Sequence, residues 1–327
     1  MLKISTLRAG AMAASIALAS ILVSLTLGEP ASAQPAASGA QSRSAPAAAQ
    51  AVGQSPRAGA VPPAAGGGLP DPYVGKKKLL IWADVQSGFH HDDINHAMAV
   101  IERLGRESGA YVSVIRTDSQ LITKKPILGY GTRYNGRPVN TRNLDQYDAI
   151  FFLGAGEGTL NSQQKADLLS FVHDDGKGLV VGHAAGVAFF DWLEWGNLIG
   201  GFMGSEYSVH PTPLIVEDLN FPGVQGFGKA FTFTDQFPVM KAPYEKGKVH
   251  TIMRLDWAKL TPEEQARRPD GDIPVVFAMP YGKGRVFNSG FGHPDETWDD
   301  PRVQKMYFEA IKWAMGLTQA SIPLDTK

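Results

Sequence analysis

The chain contains no cysteine. That excludes a disulfide framework, a thiolate zinc site, an iron–sulfur cluster, a lipid-anchored Cys and any thiol nucleophile. A strong charge of either sign is also missing: 31 Lys+Arg stand against 32 Asp+Glu, a net charge of -1. There is thus no basic footprint for nucleic acid, and none is expected as a partner. Only 19% of the 327 residues are charged, whereas Gly (36) and Pro (22) are plentiful, so part of the chain is not expected to pack into a domain. Apart from the N-terminus, no apolar run approaches the ~20 residues of a membrane helix. P-loop, H-E-x-x-H and G-x-S-x-G patterns are all absent. Gly154-Ala155-Gly156-Glu157-Gly158 lacks G-x-G-x-x-G spacing, and no nucleotide cofactor is expected.

The N-terminus reads as an export signal. Lys3 and Arg8 precede an uncharged stretch from Ala9 to Leu27; Gly28, Glu29 and Pro30 break it, and Ala31-Ser32-Ala33 supplies an A-x-A cleavage pattern. The expectation is a cleaved Sec-type signal peptide over 1–33, a periplasmic or secreted location, and no anchor after cleavage. The alternative is a membrane anchor that stays attached. Of the 39 residues in 34–72, 33 are Ala, Pro, Gly, Ser or Gln. Such a segment cannot bury enough apolar surface to offset its ordering entropy, and it reads as a disordered linker. Residues 73–327 remain, with 27 Lys+Arg and 30 Asp+Glu, as a single domain.

Within it, Lys78–Ala83, Ala149–Leu153 and Gly178–Gly182 are short, nearly continuous apolar runs, predicted to be strands buried on both faces. Tyr111–Ile115 reads as a further strand, and Ile273–Met279 with Gly284–Asn288 as an antiparallel pair. Helical spacing is found over Ile94–Glu107, Asn161–Val172 and Val303–Met315, and a helix is predicted over Ala184–Leu198 despite Gly186 and Gly196. The alternation of strand and helix implies an α/β fold with an open, mostly parallel sheet.

In such sheets ligands bind beyond the carboxyl ends of the strands. Four of the apolar runs end in Gly with His or a carboxylate. His183 lies on a tight turn after its strand, in the place of a nucleophile elbow, where a helix N-terminus should lower its pKa. His91 and Asp92 come after the first strand, His293 after the last, and these four are the candidate catalytic residues. Neutral imidazoles suit general-base work or metal ligation, so His91, His183 and His293 are also candidates for a divalent metal. Asp93 reads as the cap of the helix starting at Ile94. Phe89, Glu157, Trp192, His210 and Asp235 are candidates for substrate contact. The aromatics Phe89, Phe190, Trp192, Trp195, Phe291 and Trp298 read as a sugar platform or, for at least half of them, as core.

Together these motifs resemble the ThuA-like family, named for trehalose utilisation. Gly88-Phe89-His90-His91-Asp92-Asp93-Ile94 is similar to its "GFRHDSI" segment, Gly182-His183-Ala184-Ala185 to its "G.HAA", and Tyr281–Phe287 with Gly292-His293 to its C-terminal pattern. The resemblance spans about residues 78 to 317. It implies a flavodoxin-like, class I glutamine amidotransferase-like fold with helices on both faces and extra mixed strands, and a saccharide as ligand. His183 stands where the amidotransferases carry Cys, so glutamine amidotransfer is excluded. Gly204-Ser205-Glu206 and Thr234-Asp235-Gln236-Phe237 depart from the family pattern. Two readings are open: an exported enzyme acting on a saccharide or oxidised keto sugar by acid–base or metal-assisted chemistry, or a non-catalytic saccharide-binding module.

Overall fold

The computed structural model describes residues 73–86, 90–129, 131–134, 136–140 and 143–324. The expected signal peptide and linker, and Phe89, lie outside the described residues. Among those described, no helix is long and apolar enough to cross a membrane.

The chain runs through β1 (Lys78–Trp82), α1 (Ile94–Ser108), β2 (Val112–Arg116), β3 (Ile127–Leu128), α2 (Gly131–Tyr134), β4 (Pro138–Asn140), β5 (Ala149–Phe152), α3 (Ser162–His173) and β6 (Gly178–Val181). It continues with α4 (Leu193–Ile199), β7 (Phe202–Glu206), β8 (His210–Val216), β9 (Ala230–Asp235), β10 (Pro238–Lys241), β11 (His250–Leu255), α5 (Pro262–Ala266), β12 (Pro274–Tyr281), β13 (Gly284–Ser289) and α6 (Pro301–Ala314). Nine strands form one sheet in the order β2-β1-β5-β6-β13-β12-β11-β8-β9. From β2 to β13 the neighbours are parallel. From β13 to β9 they are antiparallel. The expected open α/β sheet is present, with more antiparallel strands than the sequence discloses.

The apolar runs explain the layering. Side chains alternate across a strand, so Leu79, Ile81, Phe151, Val180 and Phe287 join one core with α1 and α6, among them Ile94, Ile101, Met306 and Ile311. Leu80, Trp82, Ile150, Phe152, Leu179 and Val181 join the other with α3 and α4, among them Leu168, Phe171 and Trp195. Both faces of the parallel half are therefore covered by helices.

One expected element is corrected. The helix predicted over Ala184–Leu198 is a 3-10 turn over His183–Val187, a break, and then α4. Phe189 adopts a left-handed backbone (φ 53) at that break, which a continuous helix cannot contain. Its ring is fixed there among Trp82, Phe152 and Trp195. Gly186 also lies close under the backbone of Met203.

Candidate active site

The site forms where parallel strands end. β6 and β13 are neighbours, with Val181 opposite Asn288. Two residues past each of these come His183 and Gly290, and His183 Nδ1–H donates to the Gly290 carbonyl at 3.1 Å. A carbonyl can only accept, so this bond leaves Nε2 with its lone pair. His293, on the loop after β13, places its Nδ1 3.1 Å from that Nε2. His91, at the start of α1, closes the group: its ring centroid is 5.6 Å from that of His183 and 5.2 Å from that of His293. One nitrogen from each of the three lies within 4.8 Å of the others. Among the described residues this is the group whose donor atoms converge closely enough to hold a metal ion.

Burial makes all three rings poor proton acceptors. It pushes His183 down to about 3, with the Gly290 carbonyl opposing. His91 is pushed to about 4 by burial and then by His293, with Asp92 opposing. His293 is lowered by burial, with Glu206 opposing. Desolvation, rather than the helix N-terminus expected from the sequence, is thus the leading cause at His183. At neutral pH the site presents three uncharged imidazoles.

Two carboxylates support it, in roles the sequence does not disclose. Asp93 makes no capping hydrogen bond. It is 1% exposed, and its Oδ1 has no hydrogen-bond partner. That oxygen lies 4.0 Å from His91 Nδ1, and Oδ2 accepts a long bond from Trp298 Nε1 (3.4 Å). Burial pushes this carboxyl up to about 7. Asp235, expected to contact substrate, instead clamps the His293 loop. Its oxygens accept from the backbone N–H of Gly292 (2.9 Å), His293 (3.1 Å) and Gln236 (2.7 Å), and from the Thr297 hydroxyl (3.0 Å). With four donors around a fully buried carboxylate, no lone pair faces an open ligand. Gly292 serves the same loop: its φ is 130, and a Cβ there would come within 2.8 Å of the Trp298 ring.

The other expected site residues have separate surroundings. Asp92 is exposed and acts on His91 through its charge. Glu157 is exposed and accepts from Asp191 N–H at 3.3 Å. Trp192 packs against Phe189 and Trp195 in the core. His210 is held by Glu264 (2.9 Å) and by the Ser208 carbonyl (2.7 Å). Trp195, Phe291 and Trp298 are fully buried, as the core reading expects, and Phe190 is exposed. The structure thus brings His91, His183 and His293 together, with Asp235 behind the loop. It ties Glu157 and His210 to contacts of their own and packs Trp192 into the core.

Sequence reasoning misses Asp93, Gln236 and Glu206. The Gln236 side chain raises the His183 pKa against burial, and the Glu206 carboxylate, exposed at the end of β7, acts on His293. For Gln236 and Glu206 the one sequence signal is departure from the resembled pattern at those positions.

A search of curated proteins finds no match. Among solved structures, the chain is similar to a ThuA-like protein from Parabacteroides merdae ATCC 43184, with TM-score 0.56 and 17% identity over 77% of this chain and 96% of that one. A ThuA-like protein from Bacteroides uniformis ATCC 8492 gives TM-score 0.54 and 16% identity over 76% and 95%. At such identities the likeness shows the fold. Residues 78–314, which include all three histidines and every strand of the large sheet, match the family profile ThuA, described as trehalose utilisation, and the chain belongs to that family.

Proposed function

We propose that this protein is an exported enzyme acting on a saccharide or an oxidised keto sugar, with its chemistry at His91, His183 and His293. The observation that carries the reading is the convergence of three neutral imidazoles at the carboxyl ends of parallel strands. Perturbed titratable groups in such a place mark functional sites. A neutral imidazole can take a proton from the carbon beside a sugar carbonyl, or activate a water for hydrolysis. His91 and His293 are part-exposed, and His183 is buried. Glu206, beside His293, supplies a carboxylate to receive or return the proton. The family's description in terms of trehalose supports a saccharide as the small-molecule partner.

The test is incubation of the protein with disaccharides and their 3-keto derivatives, with products tracked by NMR and mass spectrometry. A new product lost in His293→Ala supports the reading. Absence of product together with a saccharide-induced rise in melting temperature replaces it with the non-catalytic binding module.

A further inference from the structure

We propose that His91, His183 and His293 form a three-histidine centre for a divalent transition-metal ion of the zinc class, with the Gly290 carbonyl and Asp93 as the outer partners that orient two of its rings. This rests on the reading above for the place of the site but gives the ring nitrogens to an ion in place of a proton, and metal binding requires no sugar and is testable apart from it.

The first argument is spacing. Nitrogens bound at 2.0–2.1 Å in a tetrahedral zinc site lie roughly 3.3 Å apart. His183 Nε2 and His293 Nδ1 are already 3.1 Å apart, and the third ring supplies a nitrogen within 4.8 Å. The second argument is orientation. A metal-bound His typically donates its other N–H to a carbonyl or carboxylate, which fixes the tautomer and the ring plane. His183 does so through Nδ1 to Gly290. His91 Nδ1 faces Asp93 Oδ1 at 4.0 Å.

The third argument is the state of Asp93. A buried carboxylate oxygen without a partner is unfavourable. Asp93 Oδ1 is enclosed beside the histidines and has no hydrogen-bond partner. A dication held by three neutral ligands supplies the missing positive charge. Rigidity adds to this, because each ring comes from a different element and the His293 loop is clamped by Asp235.

The donor set decides the class of ion. Three imidazoles suit zinc, cobalt, nickel or copper, and not calcium or magnesium, which take oxygen ligands. Three protein ligands leave a position for water or substrate. An ion there would acidify a bound water or polarise a sugar carbonyl.

The experiment uses the untagged full chain, stripped with EDTA and dialysed. Zinc is measured by plasma mass spectrometry after equilibrium dialysis, and Co(II) by its visible ligand-field absorption. The expected result is one equivalent of zinc and a Co(II) spectrum of low-coordinate form, both lost in His293→Ala and both retained in His173→Ala on the exposed end of α3. Asp93→Asn should weaken zinc by roughly 10- to 100-fold while the chain stays folded. Failure of the folded wild type to bind zinc or Co(II), or undiminished binding in His293→Ala, overturns the proposal. Unchanged affinity in Asp93→Asn overturns the role of Asp93. Sugar turnover by the stripped protein, with no zinc or Co(II) bound, keeps the sugar reading and overturns the metal; metal binding without turnover keeps the metal and overturns the sugar reading.

Discussion

Replacing Asp93 by Asn in the metal-free protein should stabilise it, and the gain should depend on pH. Burial raises the carboxyl from 3.8 to about 7. A folded value above the unfolded one means the native state holds the proton more tightly. The stability this contributes is complete below pH 3.8 and is lost as pH rises through 7. The gap corresponds to about 4 kcal/mol. Asparagine has nearly the same shape, keeps an oxygen for Trp298 Nε1, and does not ionise. The variant should therefore melt with the wild type near pH 4 and exceed it by about 4 kcal/mol at pH 8. For a domain of this size that is roughly 8–16 °C in Tm. Calorimetry in EDTA at pH 4, 6 and 8 measures it. A variant that melts at or below the wild-type temperature at pH 8, or a difference that does not change with pH, refutes the claim that the Asp93 charge destabilises the apo fold. The same substitution is expected to weaken metal binding, so stability and binding should move in opposite directions.

Three further outcomes are expected. If the neutral imidazoles carry the chemistry, the acid limb of turnover should lie below the ordinary imidazole value, because burial lowers all three rings; a pH–kcat/KM profile with its limb at or above about 6.5 contradicts the burial argument. Gly158→Ala should lower stability by about 3 kcal/mol, read as a drop in Tm, because φ there is +67 and the new Cβ would come within 1.9 Å of the trapped Phe189 ring. His210→Ala removes a partly exposed link to Glu264 and should cost roughly 0.5–1 kcal/mol without loss of turnover; a collapse of turnover in this variant returns His210 to the site.

The legibility of each feature in the sequence depends on how local it is. The strands β1, β5 and β6 announce themselves as apolar runs because both of their faces are covered. The three histidines are found by looking just past the end of each strand, a rule that needs only chain order and sheet type. Features made by distant partners are not legible. Asp93 reads as a cap because residues 92–94 look like a helix start, and its burial is completed by Trp298, 205 residues away. Asp235 reads as a ligand contact because it ends a strand, and the backbone it clamps lies 57 and 58 residues on. The pairing of β7 with β10, which sets Glu206 opposite Pro238, has no local pattern to betray it.

The energetics of the site argue for function more strongly than its residue types do. Three imidazoles gathered beyond the ends of the parallel strands resist protonation, a carboxylate oxygen nearby lacks a hydrogen-bond partner, and a non-glycine residue after the His183 turn has a left-handed backbone. Each is unfavourable for a fold that only needs to be stable. The two apolar cores beneath and above the sheet are large enough to tolerate them. A chain free to drift would replace Asp93 with an apolar or amide side chain and gain stability. Groups that oppose folding while converging on one point are kept where that point does chemistry or holds an ion. Under the proposed function, that point is the space between His91, His183 and His293.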